Sequence, residues 1–235
     1  MPDTIVVSLG GSIIAPDGVD VAFLRAFRSS ILGYLAEDAG RRLILVCGGG
    51  RVCRDYQRAY RDVMAQGERT AGSAEAQDWI GVAATRVNAE LVRQIFAPHC
   101  PDPVVLDPTA VSLFTGRILV GGGWKPGFSS DFDAVVLAER FSAGTVLNLS
   151  NIDRVYTADP RKDPSARPLD RTTWDELIAL IGEEWVPGLN APFDPVAAKR
   201  ARDARLTCVV AAGRDVGNTA AILGGRPYVG TTITP

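Results

Sequence analysis

Short apolar runs that each end in glycine are the feature of this chain that most limits its fold. Residues 4–9 run into the turn 10–12, residues 42–47 into 48–50, and residues 117–120 into 121–123. The runs are rich in Val, Ile and Leu without polar alternation, which is typical of parallel strands covered on both faces. Similar runs follow at residues 145–149, 206–211 and 228–233. The pattern predicts an α/β chain, a three-layer α/β/α sandwich with a mostly parallel central sheet.

Amphipathic stretches between these runs predict the helical layers. Two stretches carry apolar side chains at helical spacing, which we expect to face the core. These side chains are Leu24, Phe27, Ile31 and Leu35 in the first stretch, and Trp79, Val82, Ala83, Val87 and Leu91 in the second. Further helices are predicted near residues 51–65, 131–141, 173–181 and 195–204. The irregular segments 66–77 and 160–171 are interpreted as a mobile segment over a site and a surface loop.

Length and charge limit the functions open to this chain. With 235 residues, 46% of them hydrophobic, it can bury one substantial core, so we predict a single domain. A formal net charge of −2 provides no basic surface for nucleic acid or an anionic membrane. The four cysteines lack metal-ligand spacing, and no signal peptide or apolar run of ~20 residues is present. We therefore expect a cytoplasmic protein with reduced cysteines, no metal held by its side chains, and no nucleic-acid or membrane partner.

The three glycine turns predict a phosphate site. Carboxyl ends of parallel strands meet at one edge of a sheet, and glycine turns that precede helices direct backbone N–H groups toward anions. Arg51 and Arg54 follow the second turn, and Lys125 lies inside the third. Phosphoryl transfer needs mainly in-line positioning and cations that stabilise the moving group. A tight turn without any ligand is the alternative for a single glycine run, and two successive runs favour the phosphate interpretation.

Five ordered motifs resemble those of uridylate (UMP) kinases in the amino acid kinase superfamily, archaeal-type branch. Residues 78–89, DWIGVAATRVNA, are similar to the acceptor-site helix of that family. The other motifs are GGGRVCR at 48–54, GWKPGFSSD at 123–131, SNIDRVYTADPRKDP at 150–164 and GTTITP at 230–235. The nucleotide motif alone is shared with kinases of glutamate, carbamate and aspartate. The acceptor motif at 78–89 narrows the resemblance from these kinases in general to the uridylate kinases.

The resemblance implies phosphorylation of UMP by ATP, with Mg²⁺ accompanying ATP, and a division into an acceptor lobe at about 1–140 and an ATP lobe at about 141–235. It also implies a homo-oligomer, a hexamer of paired subunits. The residues implied for ATP are Gly10, Gly11, Ser12, Gly50, Arg54, Ser150, Asn151, Tyr156 and Asp159. The residues implied for UMP are Gly49, Asp78, Gly123, Trp124, Lys125, Pro126, Gly127, Phe128 and Ser129.

Two residues are implied as catalytic, Asp131 and Lys125. Asp131 would orient the catalytic groups or a magnesium-bound water, and a helix N-cap is its structural alternative. Much of the superfamily places a lysine two residues before the first Gly-Gly, where this chain has Ser8. Lys125 is the first candidate to supply that cation, followed by Arg54, Arg51 and Lys199.

Other functions remain open from the sequence. The same fold could phosphorylate another small acceptor, such as isopentenyl phosphate. Kinases of isopentenyl phosphate are expected to use a histidine near the acceptor phosphate, whereas the single histidine here, His99, lies outside every motif. The replacement at Ser8 also leaves open a binding protein that has lost catalysis. The family glycine within Val-Asp-Gly is Arg154 here, which bears on the shape of the ATP pocket.

Overall fold

The computed structural model describes residues 4–65, 74–183 and 191–235. Within them, seven strands form one sheet in the order β3-β2-β1-β4-β8-β9-β7. Every neighbouring pair is parallel except β8 with β9. The strands are β1 (Thr4–Leu9), β2 (Arg42–Cys47), β3 (Ile118–Gly121), β4 (Thr145–Ser150), β7 (Arg171–Thr173), β8 (Thr207–Ala212) and β9 (Thr231–Thr234), and a separate hairpin pairs β5 (Val155–Tyr156) with β6 (Pro168–Leu169).

Helices cover both faces of the sheet. They are α1 (Gly11–Ile14), α2 (Val21–Ala36), α3 (Gly50–Met64), α4 (Ala74–Ile95), α5 (Ser130–Arg140), α6 (Trp174–Ile181), α7 (Pro195–Asp203) and α8 (Val216–Leu223). Buried side chains of α2, α4 and α8 form one apolar cluster with the sheet, and those of α5, α6 and α7 form a second. The predicted α/β/α sandwich with a mostly parallel sheet is therefore confirmed.

The first predicted helical stripe is confirmed and the second is wrong in part. Leu24, Phe27, Ile31 and Leu35 are all buried. On α4, Trp79 is 46% exposed and Val87 is 68% exposed, whereas Val82 is buried. The helix buries a different face, which combines valines and alanines with one polar residue. The buried residues of α4 are Val82, Ala84, Asn88, Ala89 and Val92.

Other differences from the sequence are small. The last strand is Thr231–Thr234 instead of residues 228–233, and the predicted surface loop 160–171 contains β6. Of the segment 66–77 that we interpreted as mobile, residues 66–73 lie outside the described residues and the rest begins α4. In the described ranges, no helix is long and apolar enough to cross a bilayer. All four cysteines are free, as predicted.

Candidate active site

The three glycine turns lie at one edge of the sheet. β1, β2 and β3 are adjacent and parallel, so their carboxyl ends point the same way. The Gly10 N–H donates to the carbonyl of Leu149 in β4 at 2.8 Å, which brings the end of β4 to the same edge. The prediction that these turns gather in one place is confirmed.

Backbone contact joins the first two turns. A Cβ on Gly11 would lie 2.0 Å from the Gly50 nitrogen, and a Cβ on Gly50 would lie 2.3 Å from the Gly11 carbonyl oxygen. Gly50 also has a φ of +68°, a conformation that side chains disfavour. Asn88, which is buried, donates from Nδ2 to the carbonyls of Gly48 at 2.8 Å and Gly49 at 3.3 Å. Only glycine fits at these contacts, so the turns form one rigid backbone unit.

The third turn continues into a loop that α4 holds in place. The Gly123 N–H donates to Thr85 Oγ1 at 2.7 Å, and Arg86 donates to the carbonyls of Gly123 at 3.1 Å and Trp124 at 2.8 Å. Farther along the loop, the Gly127 N–H donates to Asp78 Oδ2 at 3.0 Å. The acceptor-side motif and the third glycine motif, which lie far apart in sequence, thus form one structure.

A cavity of about 150 Å³ opens between α3, α4 and this loop. Five of the residues predicted for the acceptor line it: Asp78, Gly123, Lys125, Phe128 and Ser129. Thr85 of the acceptor motif also lines it, as do Cys53 and Gln57, which the sequence did not assign to the site. Trp124 packs against Phe128 with ring centroids 4.8 Å apart. Gly49, also predicted for UMP, lies in the second glycine turn, directly before α3.

Lys125 is exposed and rests on aromatic rings. Its Nζ lies 3.9 Å from the centroid of the Trp124 ring and 5.3 Å from that of Phe128. Such cation–π contacts hold an ammonium without neutralising its charge. Lys125 therefore remains available to an anion in the cavity that it lines.

Asp131 is held by neutral donors. Its Oδ1 accepts hydrogen bonds from Ser8 Oγ at 3.0 Å and Asn148 Nδ2 at 3.1 Å, and its Oδ2 accepts from the Asp194 N–H at 3.3 Å. The pKa of this carboxyl is raised to about 6, chiefly by burial and also by the nearby Asp194 carboxylate, while the hydrogen bond from the Ser8 hydroxyl opposes the shift. The alternative role of N-cap is excluded, because Ser129 caps α5 by accepting from the Phe132 N–H.

A larger cavity, of about 480 Å³, lies on the β4 side. Its lining includes Ser150, Asn151, Tyr156 and Asp159, which the sequence predicted for ATP. Arg161 donates to both carboxylate oxygens of Asp159, at 3.0 and 3.1 Å. These contacts lower the pKa of Asp159 and occupy its carboxylate in this conformation.

Arg154, which replaces a glycine of the family motif, also lines the larger cavity. It pairs with Asp170 at 2.5 Å and has a negative φ, so the arginine requires no unusual backbone conformation. Among the other cations, Arg51 pairs with Asp17 and Asp55, and Lys199 pairs with Glu183. Within the described residues, exposed Arg54 has no ion pair.

Comparisons with known proteins agree with this geometry. The family model of the amino acid kinase family matches residues 3–212. A uridylate kinase of Methanospirillum hungatei is 36% identical, covering 98% of this chain and 94% of the relative. One of Thermoplasma volcanium is 33% identical, with 99% and 98% covered. The crystal structure of the uridylate kinase from Archaeoglobus fulgidus has a TM-score of 0.82 at 30% identity and covers 98% of this chain and 99% of that one.

The parallel sheet with clustered glycine turns and two flanking cavities, together with these relatives, defines a phosphotransferase. The chain belongs to the amino acid kinase family. The sequence did not identify the groups that hold the site from behind, namely the hydroxyl of Ser8 as a donor to Asp131, the side chains of Arg86 and Asn148, and the backbone N–H of Asp194. Their signal is weak because each acts through the backbone or through another side chain.

Proposed function

We propose that this chain transfers a phosphoryl group from ATP to UMP and forms ADP and UDP. The observation that carries the proposal is the joint acceptor structure, in which Asp78 and Thr85 of α4 bind the loop that bears Lys125. The relatives named uridylate kinase match along nearly the full chain and supply the identity of the acceptor. The larger cavity is then the ATP base and ribose site, and the glycine turns between the cavities hold the phosphates.

In this mechanism the chain mainly positions its substrates. Backbone N–H groups of the glycine turns orient phosphate oxygens, and Asp78 accepts a hydrogen bond from the acceptor ribose. Lys125 and Arg54 provide positive charge for the oxygens of the moving phosphoryl group. Asp131 orients the reacting groups near the line of transfer.

We propose that a magnesium ion enters with ATP and is held mainly by the phosphates of that nucleotide. Mg²⁺ prefers octahedral oxygen ligands, keeps several waters and is commonly bound through substrate phosphates. Both oxygens of Asp131 already accept hydrogen bonds, and among the described residues no cluster of three or more His, Cys, Asp or Glu side chains could hold a metal. The ion would supply charge neutralisation between the phosphates while the protein holds the phosphates themselves.

The position of His99 favours UMP over isopentenyl phosphate as acceptor. Its carbonyl accepts from the Arg117 and Ile118 N–H groups at the beginning of β3, which is the end opposite the third glycine turn. His99 therefore lies at the amino-terminal end of the strands, away from the glycine turns.

A coupled ADP-release assay with UMP, CMP, dUMP and isopentenyl phosphate tests the proposal. We expect turnover with UMP and Mg·ATP and none when UMP is omitted. Turnover only with another acceptor would contradict UMP as the substrate. Nucleotide binding without any turnover would instead support a binding protein that has lost catalysis.

A further inference from the structure

Asp133 is a buried carboxylate that none of the sequence motifs predicts. It lies on α5, is 1% exposed, and its Oδ2 accepts a hydrogen bond from the Trp124 N–H at 3.1 Å. Its other oxygen, Oδ1, is buried and has no hydrogen-bond partner within the described part of the chain. Because an ionisable group with an unpaired buried oxygen is costly to the fold, packing alone does not account for it.

We call residues 122–129, between β3 and α5, the acceptor loop. Side chains from two helices bind the backbone polar groups of Gly123 and Trp124 near its beginning. From α4, Thr85 accepts from the Gly123 N–H, and Arg86 donates to the carbonyls of Gly123 and Trp124. From α5, Asp133 accepts from the Trp124 N–H. The two N–H and two C=O groups of Gly123 and Trp124 are therefore each bound by a side chain, and Asp133 is the contribution from α5.

The direction of this peptide decides where the rest of the loop lies. Lys125 follows Trp124 directly, and Lys125 and Phe128 both line the smaller cavity. The Trp124 ring supports the Lys125 ammonium at 3.9 Å. A rotation of the Trp124 peptide would move both cavity-lining side chains. Asp133 itself is absent from the lining of this cavity, so it acts from behind the loop.

Charged neighbours surround Asp133 from three elements. Its pKa is raised to about 7, chiefly by burial, and the carboxylates of Asp131 on α5 and Asp107 before β3 contribute to the rise. The Trp124 N–H and the Arg86 guanidinium on α4 oppose the shift. Asp133 and Arg86 thus hold the same peptide, Asp133 at its N–H and Arg86 at its C=O.

We propose that Asp133 is a positioning residue for the phosphoryl acceptor, holding the Trp124 peptide so that Lys125 and Phe128 line the acceptor cavity. The identity of that acceptor rests on the proposed function. The contact between Asp133 and the loop rests on geometry alone.

Two variants separate the hydrogen bond from the packing. Asp133→Leu has a similar shape but cannot accept from the Trp124 N–H, so a buried donor is left unpaired. We expect its KM for UMP to rise about tenfold or more, with the KM for ATP unchanged within about twofold. Asp133→Asn keeps an oxygen acceptor and should stay within about threefold of wild type. Calorimetric titration with UMP alone should show the same order of affinities without any catalysis.

Val136→Ala is the matched control, since Val136 is buried on the same helix. It should lower the Tm through lost packing and leave the KM for UMP unchanged. The proposal is overturned if Asp133→Leu retains the wild-type KM for UMP. It is also overturned if Asp133→Leu raises both KM values equally while lowering the Tm as Val136→Ala does.

The proposed function can fail separately. If the wild-type protein uses another acceptor of the panel, UMP is the wrong substrate, and the same comparison made with that acceptor still decides the role of Asp133.

Discussion

At the scale of single residues, the replacement at Ser8 defines the chemistry of the site. Where the family resemblance leads one to expect a lysine, a hydroxyl donates to Asp131, and the other donors to this carboxyl are an amide and a backbone N–H. None of the three carries a positive charge. The positive charge for the transferred group must therefore come from residues outside this cluster.

Asp131→Asn tests whether this carboxylate acts in the transition state. We expect kcat to fall about a hundredfold or more while both KM values change little, because an orienting group acts mainly after the substrates are bound. Steady-state kinetics with each nucleotide varied, together with a thermal melt, measures this. Near-normal turnover would show that Asp131 is only a partly buried structural carboxylate.

Lys125→Ala tests the cation in the acceptor loop. Since the moving phosphoryl group spreads negative charge over its oxygens, we expect kcat to fall by about 10³, with Lys125→Arg recovering only part. Ser8→Lys in the Lys125→Ala background should restore some activity by placing an ammonium beside Asp131. Lys162→Ala is the matched control, because Lys162 lines neither described cavity. Full activity in Lys125→Ala would exclude the role and favour Arg54.

At the scale of elements, one helix builds most of the acceptor side. α4 provides Asp78 to the loop at Gly127, Thr85 to Gly123, and Asn88 to the second glycine turn. Its inner face also carries Gly81, where a Cβ would lie 3.3 Å from Cys53 Sγ. The polar and glycine positions of this face meet backbone turns, whereas Ala89 and Val92 farther along the helix pack in the apolar cluster with the sheet.

The contacts of α4 with the turns explain why apolar periodicity predicted the helix but gave the wrong buried face for it. The rule that large apolar side chains mark the core holds for α2, which packs on the sheet, but Trp79 and Val87 lie on the outer face of α4. The strands and the gathering of the glycine turns were predictable, because chain direction and strand order determine where parallel strands end. The hydrogen bond from the Trp124 N–H to Asp133 was not, since a polar residue within a helix is expected to face solvent until its tertiary neighbours are known.

Asp78→Asn tests the acceptor function of α4. The amide keeps an oxygen for the Gly127 N–H but loses the charge that strengthens a hydrogen bond to a ribose hydroxyl. We expect the KM for UMP to rise roughly ten- to a hundredfold, equivalent to about 1.5–3 kcal/mol, with kcat and the KM for ATP little changed. Initial-rate kinetics with UMP varied measures it. Equal losses for both nucleotides would indicate damage to the fold instead.

At the scale of the whole molecule, the site carries a cost in stability. Asp131 and Asp133 have pKa values raised to about 6 and about 7, chiefly by burial, from an ordinary value of 3.8. Between pH 4 and 7 the native chain retains protons that the unfolded chain releases. These two groups therefore stabilise the fold most at low pH, and that contribution is lost as pH rises through their folded pKa values.

Asp133→Asn should remove part of this pH dependence. Each unit of pKa shift corresponds to about 1.4 kcal/mol, so the variant should gain free energy of unfolding relative to wild type as pH rises from 5 to about 7.5. Urea unfolding of both proteins at four pH values over this range measures the difference. Parallel curves would show that Asp133 titrates normally in the folded protein.

The backbone of Gly11 lies directly against that of Gly50. This contact makes the distance between the two glycine turns independent of the side chains that select the substrates. Because no side chain lies between the two turns, their spacing is set by peptide geometry, and in the proposed reaction so is the path between the bound phosphates. Exchanges around either cavity can alter which molecule enters without lengthening that path. In the proposed reaction, the two glycines would therefore preserve the distance of transfer even where the loops around the cavities are exchanged.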